Sequence, residues 1–312
     1  EAVRPEDLAQ AWRELMARAK LHSHHKITRE QLSVREHMTI VLRTLSGRRF
    51  VEFHELFDTP RGTPVLVVTF IAMLELARER IGCTTFSGLQ DRMLHDHAVL
   101  PQLLDYLTVQ VSDMFRDPGY FRALREQILP HLKTYPSLKV WVAGCSSGEE
   151  LYSLAILFRE EGLESKTMFY ATDINAGALA KAEAGVYDLQ RIALFTRNHR
   201  LAGGRGSLSD YYRAAYGAAR FDKTLRRRTV FSDHSLVSDS VFAEVHLVSC
   251  RNVLIYFDRP MQDRAIGLFK EALVRKGFLG IGARESLRFS AHVKAFTELL
   301  PGERIYQKRG DE

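Results

Sequence analysis

The chain has few of the features that anchor a protein in a membrane or in an oxidising compartment. Its 312 residues include three cysteines, Cys83, Cys145 and Cys250, which are odd in number and far apart. This pattern predicts free thiols rather than a disulfide framework. The longest apolar run, 65–74, is interrupted by a threonine and is about half as long as a bilayer crossing needs. No charged-then-apolar leader opens the sequence. These absences favour a cytoplasmic protein without membrane insertion.

Charge of one sign is not concentrated anywhere. The chain has 44 Lys and Arg against 38 Asp and Glu, a formal net charge of +6. Its densest basic run, 226–228, is short, whereas nucleic-acid-binding proteins carry a basic stripe or patch. Nucleic acid is therefore not expected as a partner. The histidine cluster at 22–25 lacks accompanying cysteines or carboxylates, so it is interpreted as a loop and no metal site is predicted.

Hydrophobic periodicity predicts two kinds of structure. Residues 1–82 show three short helices with a turn between the second and third, which is typical of an all-α winged-helix-like domain. Residues 83–135 form a helical lead-in. Strands and helices alternate over 136–312, with helices predicted at 176–184 and near 292–298 among them. This alternation predicts a doubly wound α/β fold with a mostly parallel sheet covered on both faces. The stretch 185–228 is too long for an ordinary crossover and predicts a small inserted subdomain.

Two strand ends in the α/β region have the pattern of a nucleoside site. An apolar strand ends at Gly144, and a turn through Gly148 leads to Glu149 and Glu150 at the start of a helix. Glycines let the backbone approach a ligand closely, and Asp173 at the end of the next strand is placed to bind a ribose. The turn lacks the dinucleotide spacing and puts negative charge where a phosphate needs positive charge. S-adenosylmethionine, a phosphate-free nucleoside with a cationic centre, fits this pattern.

These polar residues have structural alternatives that the sequence leaves open. Asp173 also suits a helix cap, and Glu150 also suits a first-turn position that favours the helix dipole. Gln110 and Ser112 alternate ahead of Arg116 in a segment that could lie over the cofactor. Arg116 would then reach an anionic substrate; its alternative is a surface ion pair.

The segment Cys250–Phe257 follows the predicted fourth strand of the α/β region. It places Arg251, Asn252 and Tyr256 at a strand end beside the methyl donor. It lacks the Asn/Asp-Pro-Pro-aromatic run that amide N-methyltransferases usually have there, which argues against DNA-adenine or glutamine-amide chemistry. Cys250 is interpreted as a small packing residue, because no histidine base is assigned to it.

Four ordered motifs, 107–117, 144–150, 171–175 and 250–257, together resemble the CheR-type chemotaxis receptor glutamate methyltransferases. The resemblance runs from about residue 86 to 308. It implies a class I methyltransferase-like sheet and an enzyme that uses S-adenosylmethionine to form methyl esters on glutamates in the cytoplasmic helical part of chemoreceptors. It also implies a cofactor site lined by Gln110, Ser112, Arg116, Gly144, Glu150, Asp173, Ser235, Leu236, Arg251 and Asn252.

The same resemblance implies a catalytic set of Arg116, Arg251 and Tyr256 near the reacting carboxylate. Three positions depart from the family's usual residues: Gln110 and Ser235 replace Asn, and Ser112 replaces Thr. Gln110 and Ser112 have a polarity similar to that of the residues they replace. Ser235 is shorter, so its contact near the adenine is the one at risk.

Residues 8–80 resemble a different protein, the carboxyl-terminal winged helix of the bacterial kleisin that bridges condensin heads. The motifs are 32–38 and 67–76, and they stand where the methyltransferase family usually has basic helices. This resemblance implies an alternative function, a non-catalytic module that docks a condensin ATPase head and uses the nucleoside site as a passive sensor. A methyltransferase acting on small molecules is supported only by the shared fold.

Overall fold

The computed structural model describes residues 112–310, together with His37, Ile40, Val68, Thr69, Ala72, His95 and Asp96. The chain divides into two units, Glu1–Val109 and Gln110–Glu312. All the described residues of the first unit except Asp96 are helical. The winged-helix arrangement, the kleisin-like segment and Gln110 lie outside the described residues. The domain boundaries at 82 and 135 stay predictions.

Within residues 112–310 the main structure is a seven-stranded sheet. Five parallel strands lie side by side in the order β6 (Thr229–Asp233), β2 (Thr167–Asp173), β1 (Leu138–Ala143), β7 (Val245–Cys250) and β8 (Leu273–Ile281). Beyond β8, the antiparallel strand β10 (Ile305–Lys308) pairs with the edge strand β9 (Phe296–Leu300). The predicted α/β fold with a mostly parallel sheet is confirmed. Parallel strands end at one edge, so the turns that follow them come together there.

Helices cover the sheet. They are α1 (Pro118–Ala123), α2 (Leu129–Leu132), α3 (Glu149–Glu160), α4 (Ala176–Ala184), α5 (Ile192–Leu201) and α6 (Arg259–Ala272). A π-helical turn, Leu124–Ile128, joins α1 and α2 into one segment. Strand β1 shows how both faces are buried: Val140 and Val142 lie in one apolar cluster with α3, while Trp141 and Ala143 lie in another with α6. Alternate side chains of a central strand point to opposite faces, so the sheet has a core on each side.

One predicted element is wrong. The sequence predicts a helical piece at 292–298, but only Val293–Ala295 forms a single 3-10 turn, and Phe296 begins β9. Pairing with β10 overrides the local pattern, because the edge strand gains backbone hydrogen bonds and buries Phe296. The predicted insert contains a separate antiparallel sheet in the order β3 (Val186–Asp188), β5 (Ala218–Phe221) and β4 (Tyr212–Ala215).

A buried charge network fastens the α1–α2 segment to the end of α3. Arg125 contacts Glu160 and donates to Glu161 over 2.7 Å, and His199 lies 2.8 Å from Glu160. Burial by itself raises the pKa of Glu160, but hydrogen bonds with His199 and Arg125 outweigh burial and lower the pKa to about 2. The ionised carboxylate therefore stabilises the folded state.

Glu160→Gln is expected to reveal this contribution in acid. A carboxyl whose pKa is lowered by folding stabilises the protein above its unfolded pKa, and the contribution is lost as pH falls through the folded pKa. At neutral pH we expect the free energy of unfolding of the variant to be about 2 kcal/mol lower than that of the wild type. This difference in stability should disappear as the pH falls from 4.5 to about 2. Urea denaturation across this range measures it. Glu164→Gln, which removes a more exposed ion pair, is the control. A stability difference between Glu160→Gln and the wild type that does not change with pH would contradict this role of Glu160.

Candidate active site

The turn after β1 requires glycine at two positions. Gly144 has φ 70° and Gly148 has φ 93°, both in the left-handed region. A Cβ on Gly144 would lie 2.4 Å from Cγ2 of Val253, and one on Gly148 would lie 2.8 Å from Cβ of Ala182. The N–H groups of Gly144 and Cys145 both donate to the carbonyl of Thr172, over 2.8 and 2.9 Å. The turn is therefore held against β2 and the loop after β7, with its backbone close to the sheet edge.

Asp173 holds the turn from the end of β2. Its Oδ2 accepts the N–H of Ser146 over 2.8 Å, and its Oδ1 accepts the N–H of Asn175 over 3.0 Å. Asn175, through a 2.9 Å bond from the N–H of Ala178, is the side chain that caps α4. Asn175, and not Asp173, is therefore the helix cap that the sequence left open. Burial raises the pKa of Asp173, and the backbone donors oppose that rise.

The carboxylate of Glu150 ends a hydrogen-bonded chain that runs through the hydroxyl groups of Tyr120 and Ser249. The Tyr120 hydroxyl lies 2.8 Å from Oγ of Ser249, which donates to Oε1 of Glu150 over 2.6 Å. Burial raises the pKa of Glu150, while Arg251 and the Ser249 hydrogen bond lower it. This carboxylate is therefore oriented by the last residues of β7 as well as by its place at the start of α3. Sequence reasoning missed Tyr120 and Ser249, although both adjoin motifs that it identified.

Arg251 is buried rather than open to solvent. Its side chain is 2% exposed; Nη2 contacts Oδ2 of Asp117 over 2.7 Å and Nη1 lies 3.6 Å from Oε2 of Glu150. Its guanidinium lies over the Tyr120 ring at 4.3 Å from the centroid. Nε and Nη1 are buried and make no hydrogen bond with a described residue. Such donors fit an anionic group like the carboxylate of the amino-acid part of S-adenosylmethionine.

Arg116 and Tyr256 lie on the more open side of this cluster. Tyr256 is 45% exposed. Burial raises the pKa of Tyr256, and the charge of Arg116 opposes that rise, as it also does for Glu150. Phe115 and Asp117, on either side of Arg116, both have positive φ, at 51° and 55°. Strained backbone of this kind persists where the surroundings fix it, often at functional sites.

The loop that carries Asn252 and Tyr256 is held by a residue that sequence reasoning did not find. Glu285 accepts the N–H groups of Asn252 and Ile255, each over 3.2 Å, and that of Gly282 over 2.5 Å. Its side chain is buried, and burial raises its pKa while these backbone donors oppose the rise. Asn252 itself has φ 60°. No local pattern links Glu285 to this loop, since 30 or more residues separate them.

The remaining predicted ligands lie around the same edge with different roles. Leu236 is buried in the apolar cluster that also contains Trp141 and residues of α6. The Ser235 hydroxyl accepts the N–H groups of Val237 and Ser238 over 3.3 and 3.2 Å, so it already caps a turn. Ser112 is half-buried, and its backbone carbonyl accepts a hydrogen bond from Arg191.

The cysteine predictions for the described part of the chain are confirmed. Cys145 and Cys250 are buried free thiols, and burial raises both pKa values well above the usual range. A buried neutral thiol is a poor nucleophile. Among the described residues, no cluster of His, Cys, Asp and Glu is arranged to bind a metal ion. In the same part of the chain, every helix is too short or too polar to cross a bilayer.

Residues 110–300 match the family model for the CheR methyltransferase, SAM binding domain. The chain belongs to the CheR methyltransferase family. S-adenosylmethionine is accordingly the cofactor of its α/β domain. The match contains every predicted site residue, and the geometry above brings the ends of β1, β2 and β7 together at one edge. The kleisin-like resemblance and the condensin partner gain no support from these comparisons.

Two bacterial relatives and one solved structure are also similar to parts of this chain. The methyltransferase Cher3 of Pseudomonas putida is 53% identical over 232 residues, which is 74% of this chain and 85% of that protein. A chemotaxis protein methyltransferase of Listeria monocytogenes is 31% identical over 65% of this chain and 75% of its own length. Magnesium protoporphyrin IX methyltransferase from Synechocystis PCC 6803, solved with bound SAM, is 15% identical and covers 62% of this chain and 81% of that chain. The TM-score of this pair is 0.34.

Proposed function

We propose that this protein transfers a methyl group from S-adenosylmethionine to glutamate side chains of chemoreceptors, forming methyl esters. One observation carries the proposal: within the CheR domain, the cofactor-type carboxylates Glu150 and Asp173 share a sheet edge with Arg116 and Tyr256. Relatives named as chemotaxis protein methyltransferases support the choice of substrate. S-adenosylmethionine supplies the methyl group when bound.

The residues fit this cofactor better than a phosphate-bearing nucleotide. The turn after β1 leads into two buried or half-buried carboxylates, Glu149 and Glu150, which would repel a phosphate. Asp173 has acceptor positions left for a ribose, since a carboxylate accepts at about four sites and two are used by backbone N–H groups. The buried donors of Arg251 are matched to a carboxylate.

The chemistry requires alignment rather than a strong base. A glutamate carboxylate has a pKa of about 4.3 and is ionised near neutral pH. In this proposal Arg116 binds this carboxylate, and Tyr256 donates a hydrogen bond to it as a protonated phenol, because its pKa is raised. Transfer neutralises the carboxylate, so a clamp that bound it too tightly would stabilise the starting state more than the transition state. Positioning by one arginine and one phenol, with water excluded, avoids that loss.

Arg251 has a different part in this proposal. Its guanidinium is enclosed by Asp117, Glu150 and the Tyr120 ring, so it faces the cofactor side and positions Glu150. Of the three residues assigned to the reacting carboxylate, Arg116 and Tyr256 are the two with access to an incoming side chain.

Tyr256→Phe is expected to slow methyl transfer while cofactor binding stays near normal. The variant loses one hydrogen bond to the reacting carboxylate, worth about 1.5–3 kcal/mol for a charged acceptor, so kcat should fall roughly tenfold to a hundredfold. Steady-state kinetics and calorimetric titration with S-adenosylhomocysteine measure the two effects. Tyr212→Phe, a tyrosine of β4 outside this site, is the control. Equal losses in kcat and cofactor affinity would count against the assigned role.

The function itself is tested with methyl-labelled S-adenosylmethionine and helical cytoplasmic fragments of chemoreceptors. We expect label to be retained on the fragment and to be released by mild base, because esters hydrolyse easily. Label that survives base would point to a different acceptor group. Absence of any transfer, with cofactor binding intact, would favour the non-catalytic binding module.

A further inference from the structure

An exposed basic and aromatic surface is formed by side chains that follow Tyr256 in the sequence and by the loop after β8. We define it by Arg259, Arg284, Arg288 and Phe289 and name it the arginine rim. Phe289 is 71% exposed, far more than a large aromatic side chain usually is. All three arginines are exposed, and none forms an ion pair within residues 112–310. Neither the cofactor site nor the core of the domain uses these side chains.

The rim is held in place by hydrogen bonds between the two loops that form it. The loops follow β7 and β8, which are parallel neighbours, so both emerge at the edge that carries the active site. Glu285, buried between them, binds the backbone of the loop containing Ile255 and Tyr256. The N–H of Ala291 donates to Oδ1 of Asp263 on α6 over 3.0 Å. Buried Leu287 anchors the same loop from below. Arg284 and Arg288 therefore project from fixed backbone.

The acidic side chains near the rim have structural tasks. Asp258 caps α6 by accepting the N–H of Met261 over 3.0 Å, Asp263 holds Ala291, and Glu285 is buried. The exposed side chains that remain include the three arginines and an apolar set, Phe289 on the loop after β8 with Ile255 and the half-exposed Tyr256 on the loop after β7, which we name the apolar centre. The guanidinium of Arg259 lies over the Phe289 ring at 4.9 Å from its centroid, an arrangement that leaves its N–H groups available to a partner.

We propose that the arginine rim docks an acidic amphipathic helix of the protein substrate, beside the glutamate that is methylated. This inference rests on the proposed function and adds the surface that recognises the substrate. The apolar centre fits the apolar face of such a helix, and Arg284 and Arg288 fit carboxylates along its flank. Charge complementarity at the edge of an interface mainly steers association and depends on salt, so substrate capture at the rim weakens as ionic strength rises.

The test reverses charge at the rim and measures substrate and cofactor separately. For the double variant Arg284→Glu with Arg288→Glu, we expect the KM for a helical receptor fragment to rise about tenfold or more. The affinity for S-adenosylhomocysteine should be unchanged. Phe289→Ser should also raise KM. The matched control reverses Arg227 and Arg275, two exposed arginines near the amino ends of β6 and β8, at the opposite edge of the sheet.

An unchanged KM in the rim variants, or an equal rise in the control, would overturn the proposal. A KM that rises with ionic strength in the wild type and in the control, but not in the rim variant, would support it. Direct binding of a fluorescent receptor helix, measured by anisotropy with S-adenosylhomocysteine present, separates the two hypotheses. If the wild type binds the helix through the rim but transfers no methyl group, the proposed function fails while the docking surface stands. If methyl transfer proceeds equally in the wild type and the rim variant, only the docking surface fails.

Discussion

Replacing Asp173 with alanine is expected to weaken the binding of S-adenosylhomocysteine about a hundredfold. The carboxylate is half-buried at the end of β2, and the acceptor positions that backbone N–H groups do not use are available to ribose hydroxyls. Hydrogen bonds to a charged group contribute about 1.5 kcal/mol or more each, and two of them correspond to roughly a hundredfold in affinity. The variant also releases the N–H of Ser146, so the turn after β1 loses one of its restraints.

Calorimetric titration measures this effect, with Asp222→Ala as the control. Asp222 also accepts a backbone N–H at the start of a short helix, that of Thr224 over 2.9 Å, but it belongs to the insert. Its removal should leave cofactor affinity unchanged. Affinity of the wild type should also fall as pH falls through the pKa of Asp173, since a protonated carboxyl is a weaker acceptor, and the variant should not show this dependence. Unchanged affinity in Asp173→Ala would remove the residue from the site.

Arg251→Met is expected to lower the free energy of unfolding by about 3–5 kcal/mol, the usual cost of leaving a buried carboxylate without its partner. The side chain that is lost neutralises Glu150 and pairs with Asp117. It also covers the Tyr120 ring. Without the guanidinium, the pKa of Glu150 should rise further, because Arg251 is the largest influence that now lowers it. Cofactor affinity should fall with stability, since the turn, α3 and the loop after β7 meet at this residue.

Urea denaturation of this variant is compared with that of Arg304→Met. Arg304 pairs with Glu298 over 3.2 Å, but both side chains are about one-third exposed. An exposed pair contributes at most about 1 kcal/mol, so the control should be nearly as stable as the wild type. Arg251→Lys keeps the charge and should recover part of the loss. Equal stability of the Met and Lys variants would show that packing, and not charge, is what Arg251 provides.

The sequence predicts those parts of the site that lie at strand ends. Asp173 and Glu150 could be found because each follows an apolar strand in a repeating pattern, and parallel strands deliver their ends to one edge. Helix α4 begins and ends where the pattern places it, at Ala176 and Ala184. Such features depend on neighbours a few residues away, which periodicity and capping describe well.

Contacts between distant segments could not be predicted in this way. The Tyr120–Ser249 bond joins residues 129 apart, and the Glu285–Asn252 bond joins residues 33 apart. Neither contact produces a repeating pattern of residue types in the sequence. The edge strand β9 was missed for the same reason, since its partner β10 decides its conformation. The Ser235 hydroxyl, expected near the adenine, is occupied by a turn whose hydrogen bonds only the backbone geometry reveals.

A crystal structure with S-adenosylhomocysteine bound tests the central claim most directly. We expect the ribose hydroxyls on the carboxylate of Asp173, the amino-acid carboxylate near the buried donors of Arg251, and the sulfur facing the side on which Arg116 and Tyr256 lie. Density for the ligand elsewhere on the chain, or a sheet edge closed by its own side chains while the ligand binds in solution, would contradict it.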